Sequence, residues 1–200
     1  MKSLLIGLTG KMGSGKSLFT SFFQKNGIPV YYSDQRGKII MNQTKILKKN
    51  IIKFFGKKSY ENKTINTKFL SKKVFTDPLY LKLLCSIVHP WVLLDFKKWR
   101  SSQKTLYLIK ESALLFESGT YKDCDYIITI TSPTTKMIER IIKRDKLSEE
   151  QIMNRLKIQI SNKERIKYSN IIVENIQDIS FLKEKAKEIH HKIIINGKRR

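Results

Sequence analysis

The residues of this chain best suited to chemistry lie together near its start. Gly10-Lys11-Met12-Gly13-Ser14-Gly15-Lys16-Ser17 satisfies the spacing G-x-x-x-x-G-K-[ST]. Glycines at such spacing let successive backbone N–H groups turn inward as a nest for phosphate oxygens. A helix starting at Lys16 would add the positive end of its dipole. The phosphate-holding set is then Gly10, Met12, Gly13, Ser14, Gly15, Lys16, Ser17 and Leu18. Lys16 reaches the β- and γ-phosphates, and the Ser17 hydroxyl ligates Mg²⁺. ATP and Mg²⁺ are therefore the expected nucleotide and metal.

Other groups could act on a bound nucleotide, and each has a plainer reading beside the chemical one. Asp34, at the end of a predicted strand, could take the proton from an attacking hydroxyl, or it could cap the next helix. Glu111 ends another strand and could hold Mg²⁺ through water, or be an exposed acid at a strand end. Arg140 and Arg144 are four apart and share a helix face, with Arg155 beyond the turn at Asp145. They could close over ATP and offset charge on the transferred group, or make surface ion pairs with Glu139 and Asp145. His89 stands in no Cys/His cluster, which speaks for a capping or core role.

The elements that must position these residues follow from pattern. Ser3–Thr9 reads as a strand, a helix starts near Lys16, and Asn26-Gly27 ends it. Ile28–Tyr32 is a second strand delivering Ser33-Asp34, a βαβ opening that implies a parallel sheet covered by helices. Residues 38–100 read as mostly helical, with Asp77-Pro78 starting one helix and Leu81, Leu84 and Val88 on its apolar face. Strands return at Thr105–Ile109, Asp125–Thr131 and Ile171–Val173. Helices are expected at Thr134–Arg144 (capped by Ser132-Pro133), at Glu149–Ile160 behind the capping box Ser148/Gln151, and at Ser180–Lys192. The fold class is α/β, with a sheet of about five strands and a helical insert between strands two and three.

Composition bounds the partners. The chain has 200 residues, 40 Lys+Arg against 17 Asp+Glu and a net charge of +23, which first suggests nucleic acid. The detail points elsewhere: 32 Lys to 8 Arg and 28 Ile to 2 Ala match codon drift toward A+T as well as anionic ligands. A polyanion partner stays open on charge alone. The longest apolar runs are about five or six residues, as in Leu4-Leu5-Ile6-Gly7-Leu8, so no membrane span is expected. Met1 to Ser3 run straight into a strand, leaving no room for a signal peptide. Cys85 and Cys124 are the only cysteines, as expected of a reducing cytoplasm. Ile195–Arg200 reads as a frayed basic tail.

The ordered motifs resemble the dephospho-coenzyme A kinase family over nearly the whole chain. The resemblance lies in Gly7–Ser17, Tyr32-Ser33-Asp34, Val74–Asp77, Ile87-Val88-His89-Pro90 and Ala113-Leu114-Leu115-Phe116-Glu117. It continues through Arg140, Arg144-Asp145, Leu147-Ser148, Arg155, Gln159 and Ile171–Asn175. Departures are Lys11 for a usual glycine, Thr67 for an arginine, Cys85 for a glutamate, Ala113 for a proline, Met137 for a glutamine, and Ser169-Asn170 for Ala-Asp. The resemblance implies a three-layer P-loop kinase fold with core 1–36, 103–135 and 165–196, a helical acceptor-binding insert 37–102 and a lid 136–162. It implies transfer of the ATP γ-phosphoryl group to the ribose 3′-hydroxyl of dephospho-coenzyme A. Asp34, Lys16 and Arg140 would be catalytic, Asp34, His89 and Glu117 would bind the acceptor, Arg144 and Asn175 would bind ATP, and Ser17 and Glu111 would bind Mg²⁺. A cytoplasmic monomer with no nucleic-acid or membrane partner is expected. The rivals are a nucleoside-monophosphate kinase of the same architecture and a nucleotide-gated nucleic-acid-binding protein.

Overall fold

The computed structural model describes residues 3–198, which form two compact units. The first unit opens with β1 (Leu4–Thr9), α1 (Lys16–Gln24) and β2 (Val30–Tyr32). The second unit, Ser33–Ser102, holds α2 (Ser33–Gln43), α3 (Lys45–Phe55), β3 (Tyr60–Glu61), β4 (Thr64–Ile65), α4 (Thr67–Val74) and α5 (Pro78–Ser101). The chain then completes the first unit with β5 (Tyr107–Glu111), β6 (Tyr126–Thr131), α6 (Thr134–Asp145), α7 (Glu149–Ile158), α8 (Asn162–Lys167), β7 (Ile171–Glu174) and α9 (Ile179–Lys198).

Five strands of the first unit pair in parallel in the order β2-β5-β1-β6-β7. The central strands β1, β5 and β6 are buried along almost their whole length, as expected where both sheet faces are covered. On one face Phe19 and Phe23 of α1 and Leu182, Ala186 and Ile189 of α9 enclose Ile6, Leu8, Ile128 and Ile130. Ile127, on the opposite pleat, packs with Leu115 and Phe116. Register aligns Leu8 and Tyr32 with Glu111 and Thr131 with Glu174, so the loops after β1, β2, β5, β6 and β7 leave one edge of the sheet. In open parallel sheets that carboxyl edge is where ligands bind.

The second unit packs α2, α3 and α4 on α5 around Leu47, Ile51, Phe55, Leu70, Val74 and Val88. Asn66 and Asp77 cap α4 and α5, each accepting a backbone N–H, with Pro78 at the first helical position.

The structure departs from expectation in six places. The β3–β4 hairpin interrupts the expected helical stretch. Its turn places Asn62 and Lys63 at positive φ without a glycine, so the usual turn signal is missing. Helix α8 was not expected, although Ser161 and Glu164 form a capping box before it. Ser132 does not cap α6, because its hydroxyl donates to the Asn175 carbonyl instead. The last helix runs on through Lys198, past the expected end at Lys192, while Arg199 and Arg200 lie outside the described residues. The second unit begins at Ser33, which puts Asp34 inside it. Lastly, α5 is long and apolar enough to cross a membrane by length and composition, which counting contiguous runs overlooked because Lys82, Ser86 and His89 break them. Val88 and Phe96 are the buried residues of this helix, and the rest of its length is partly or fully exposed.

Candidate active site

The segment joining β1 to α1 is shaped by its glycines and clamped from three sides. Gly13 has φ +80°, and a Cβ there would lie 2.7 Å from the Met137 carbonyl oxygen of α6. Gly15 has φ +100°, and its Cβ would overlap the Asn175 side chain. Only glycine permits both backbone conformation and approach at these two points. Asn175, buried just beyond β7, donates from Nδ2 to the Ser14 carbonyl at 2.8 Å. Arg140 donates to the Gly13 carbonyl at 3.3 Å, to Ser132 Oγ at 3.1 Å and to Asn175 Oδ1 at 3.4 Å. Gln159, following α7, accepts the Met12 N–H at 3.0 Å and donates to the Ala113 carbonyl at 3.1 Å.

Lys16 is buried at the first position of α1. Its Nζ lies 3.0 Å from the Gly10 carbonyl, 3.2 Å from the Lys11 carbonyl and 3.9 Å from Glu111 Oε1. The first turn of α1 carries no side-chain cap, and Ser17 and Leu18 are exposed there. This leaves the helix start suited to an anion. Two expected phosphate donors are already committed: the Met12 N–H to Gln159, and the Ser14 N–H to the Lys11 carbonyl at 3.1 Å. The loop's own rigidity consumes them.

Glu111, the last residue of β5, is buried and close to Lys16, which excludes the exposed-acid reading. Asp34 lies in the first turn of α2, exposed, two residues after Tyr32. Its carboxylate makes no hydrogen bond or ion pair among the described residues, so it is not a helix cap. His89 sits half-buried in the middle of α5, neither capping the helix nor in the core. Arg144 is engaged by Asp145 through two hydrogen bonds of 2.8 and 2.9 Å at the surface, the plainer of its two readings. That hydrogen bonding holds its pKa above the ordinary guanidinium value. Burial lowers the pKa of Arg155, with Asp145 opposing and Arg144 adding to the shift.

Glu117 is tied into the protein. Its Oε1 accepts from the Ile160 N–H at 2.9 Å and from Arg165 at 3.1 Å. Arg165 was missed by sequence reasoning. It is fully buried, donating also to Thr9 Oγ1 at 2.8 Å and to the Ala113 carbonyl at 3.3 Å. Burial pulls its pKa down, and Glu117 pulls it back. Thr9 directly precedes Gly10, and Ala113 also holds Gln159, so Arg165 braces the start of the phosphate loop. Its only sequence signal was the capping box that opens α8.

No group of three His, Cys, Asp or Glu side chains among the described residues could hold a metal alone. Ser17 and Glu111 offer a hydroxyl and a carboxylate, both hard oxygen donors. That fits Mg²⁺, which binds through one or two protein oxygens together with phosphates and water.

A phosphate loop clamped to a parallel sheet, with a buried lysine and an acid at the adjoining strand end, defines a P-loop small-molecule kinase. The family described as Dephospho-CoA kinase matches residues 4–180, and the chain belongs to that family. A dephospho-CoA kinase of Fusobacterium nucleatum is 35% identical over 187 residues, covering 93% of this chain and 96% of that protein. A solved dephospho-CoA kinase from Campylobacter jejuni has a TM-score of 0.66 at 25% identity, over 94% of this chain and 96% of that one. A Thermus thermophilus structure shares the fold with a TM-score of 0.82 at 24% identity, over 96% of this chain and 98% of its own.

Proposed function

We propose that the protein transfers the γ-phosphoryl group of ATP to the ribose 3′-hydroxyl of dephospho-coenzyme A, giving coenzyme A and ADP. The observation that carries this reading is the phosphate loop with its buried Lys16, set in a chain that matches this family over residues 4–180. The loop backbone and Lys16 hold the β- and γ-phosphates. Ser17 and, through water, Glu111 would hold Mg²⁺, which would supply charge neutralisation at the phosphates.

Asp34 accepts the proton of the 3′-hydroxyl as its oxygen bonds to the γ-phosphorus. The bond from that phosphorus to the β–γ bridging oxygen breaks, and ADP leaves with the electron pair. Asp34 suits this role because no donor among the described residues occupies its carboxylate. Arg140, already anchored at the Gly13 carbonyl, presents guanidinium charge at the end of the loop and offsets charge developing on the transferred group. His89 contributes to acceptor binding. Glu117 contributes to acceptor binding while its hold on Arg165 supports the phosphate loop, and Arg144 joins ATP only by leaving Asp145. The enzyme works as a cytoplasmic monomer without nucleic-acid or membrane partners.

An acceptor panel tests the substrate. With Mg-ATP, turnover of dephospho-coenzyme A should exceed that of AMP and CMP by at least a hundredfold, and the reverse order would transfer the assignment to a nucleoside-monophosphate kinase.

A further inference from the structure

Lys11 is not needed to build the phosphate loop. The motif leaves its position free, and its structural contacts are made by its backbone. The Lys11 carbonyl accepts from Lys16 Nζ at 3.2 Å and from the Ser14 N–H at 3.1 Å. Those bonds fix the Lys11 Cα at the rim of the loop while leaving its side chain uncommitted. The side chain is half-buried and makes no hydrogen bond or ion pair among the described residues.

Its electrostatic neighbours are Arg165 and Glu117. The Glu117 charge is already shared with Arg165 at 3.1 Å, and Arg165 is itself fixed to Thr9 and Ala113. Glu117 Oε1 is thus taken by Arg165 and the Ile160 N–H, and Lys11 makes no ion pair with this carboxylate among the described residues. Burial and then the Arg165 charge press the Lys11 pKa below the ordinary lysine value, and Glu117 offsets this only in part. A partly desolvated ammonium beside a phosphate nest, lacking an anionic partner of its own, is matched to a ligand oxyanion.

We infer that Lys11 is a specificity residue, whose ammonium donates to a non-bridging phosphate oxygen of a bound substrate. Two substrates of the proposed reaction carry such oxygens: the terminal phosphate of ATP and the pyrophosphate of dephospho-coenzyme A. The inference deepens the kinase reading and rests on it for the second source only.

The test uses the full chain and the variants Lys11→Met, Lys11→Gly and Lys11→Arg. ATP and ADP affinities are measured by calorimetry and KM for dephospho-coenzyme A by product formation. If the contact is to ATP, Lys11→Met and Lys11→Gly weaken ATP about tenfold and leave ADP within twofold, and Lys11→Arg recovers most of the loss. If the contact is to the acceptor, KM for dephospho-coenzyme A rises about tenfold with ATP affinity unchanged. Two results overturn the inference: all three quantities within twofold of the parent in Lys11→Met, or equal losses of ATP and ADP, the sign of a distorted loop. Should the parent form no coenzyme A, the kinase reading fails, and the ATP-against-ADP comparison alone decides Lys11.

Discussion

Glu117→Gln should destabilise the protein far more than a surface charge change. Arg165 is 0% exposed, and the Glu117 side chain is only 17% exposed, so their 3.1 Å pair is largely shielded from water. Removing the carboxylate charge leaves the guanidinium with neutral acceptors only, the glutamine oxygen, the Thr9 hydroxyl and the Ala113 carbonyl, while Arg165 Nε has no partner among the described residues. Breaking a buried pair by removing one member costs about 3–5 kcal/mol. Glutamine keeps an oxygen for the Ile160 N–H, and Glu117 is partly wet, so the low end applies, about 3 kcal/mol. In Arg165→Met/Glu117→Gln no buried charge is stranded. That double variant should lose only about 1–2 kcal/mol, because Thr9 Oγ1 loses its guanidinium donor while the Ala113 carbonyl keeps Gln159. Urea unfolding with a common m-value measures both, and ATP affinity should fall in parallel because Thr9 and Ala113 support the loop. A loss under about 1 kcal/mol in Glu117→Gln, or a double variant less stable than the single, would refute the reasoning.

Asp34→Asn should retain ATP affinity and lose at least about a hundredfold in turnover, the low end for a general base; unchanged turnover removes Asp34 from the mechanism. Gly13→Ala should cost about 1–2 kcal/mol for its left-handed backbone and weaken ATP binding further, because the new Cβ meets the Met137 carbonyl. Calorimetry and thermal unfolding report both effects, and parental values would show that the loop is not clamped as described. The pKa of His190, whose Nδ1 lies 2.6 Å from the Tyr107 hydroxyl, is lowered by burial and then by His191. The unfolded chain therefore binds the proton more readily, so this histidine's contribution is complete above about pH 6.5 and lost as pH falls below it. Stability of His190→Gln should fall less than the parent's between about pH 7 and 5; parallel curves would contradict this.

What was legible in the sequence was local. The phosphate loop could be read because nest, lysine and hydroxyl are contiguous, and the capping box Ser148/Gln151 because both partners lie three residues apart. The parallel sheet followed from the βαβ opening, in which a strand, a helix and a second strand succeed one another. What escaped depends on distant partners. Arg165 sits in Asn162–Lys167 among Lys163, Glu164 and Lys167, where it looks like one more solvated charge, and only tertiary burial distinguishes it. Ser132 had the right type and place for a helix cap, but the Asn175 carbonyl competed for its hydroxyl. Met12 and Ser14 belong to the phosphate motif, yet their N–H groups hold the loop rather than face a ligand. Asn175 and Gln159 stood out only through family resemblance. The structure supplies their physical task, fixing the loop backbone from β7 and α7.

The central claim is a single bond formed at a single oxygen. Incubation of the purified protein with Mg-ATP and dephospho-coenzyme A, followed by ³¹P NMR and mass spectrometry of the product, tests it most directly. The account predicts ADP and coenzyme A in equal amounts, with a new phosphomonoester on the ribose 3′-oxygen. ADP released with no phosphorylated acceptor, or a phosphate on any other hydroxyl, would contradict it.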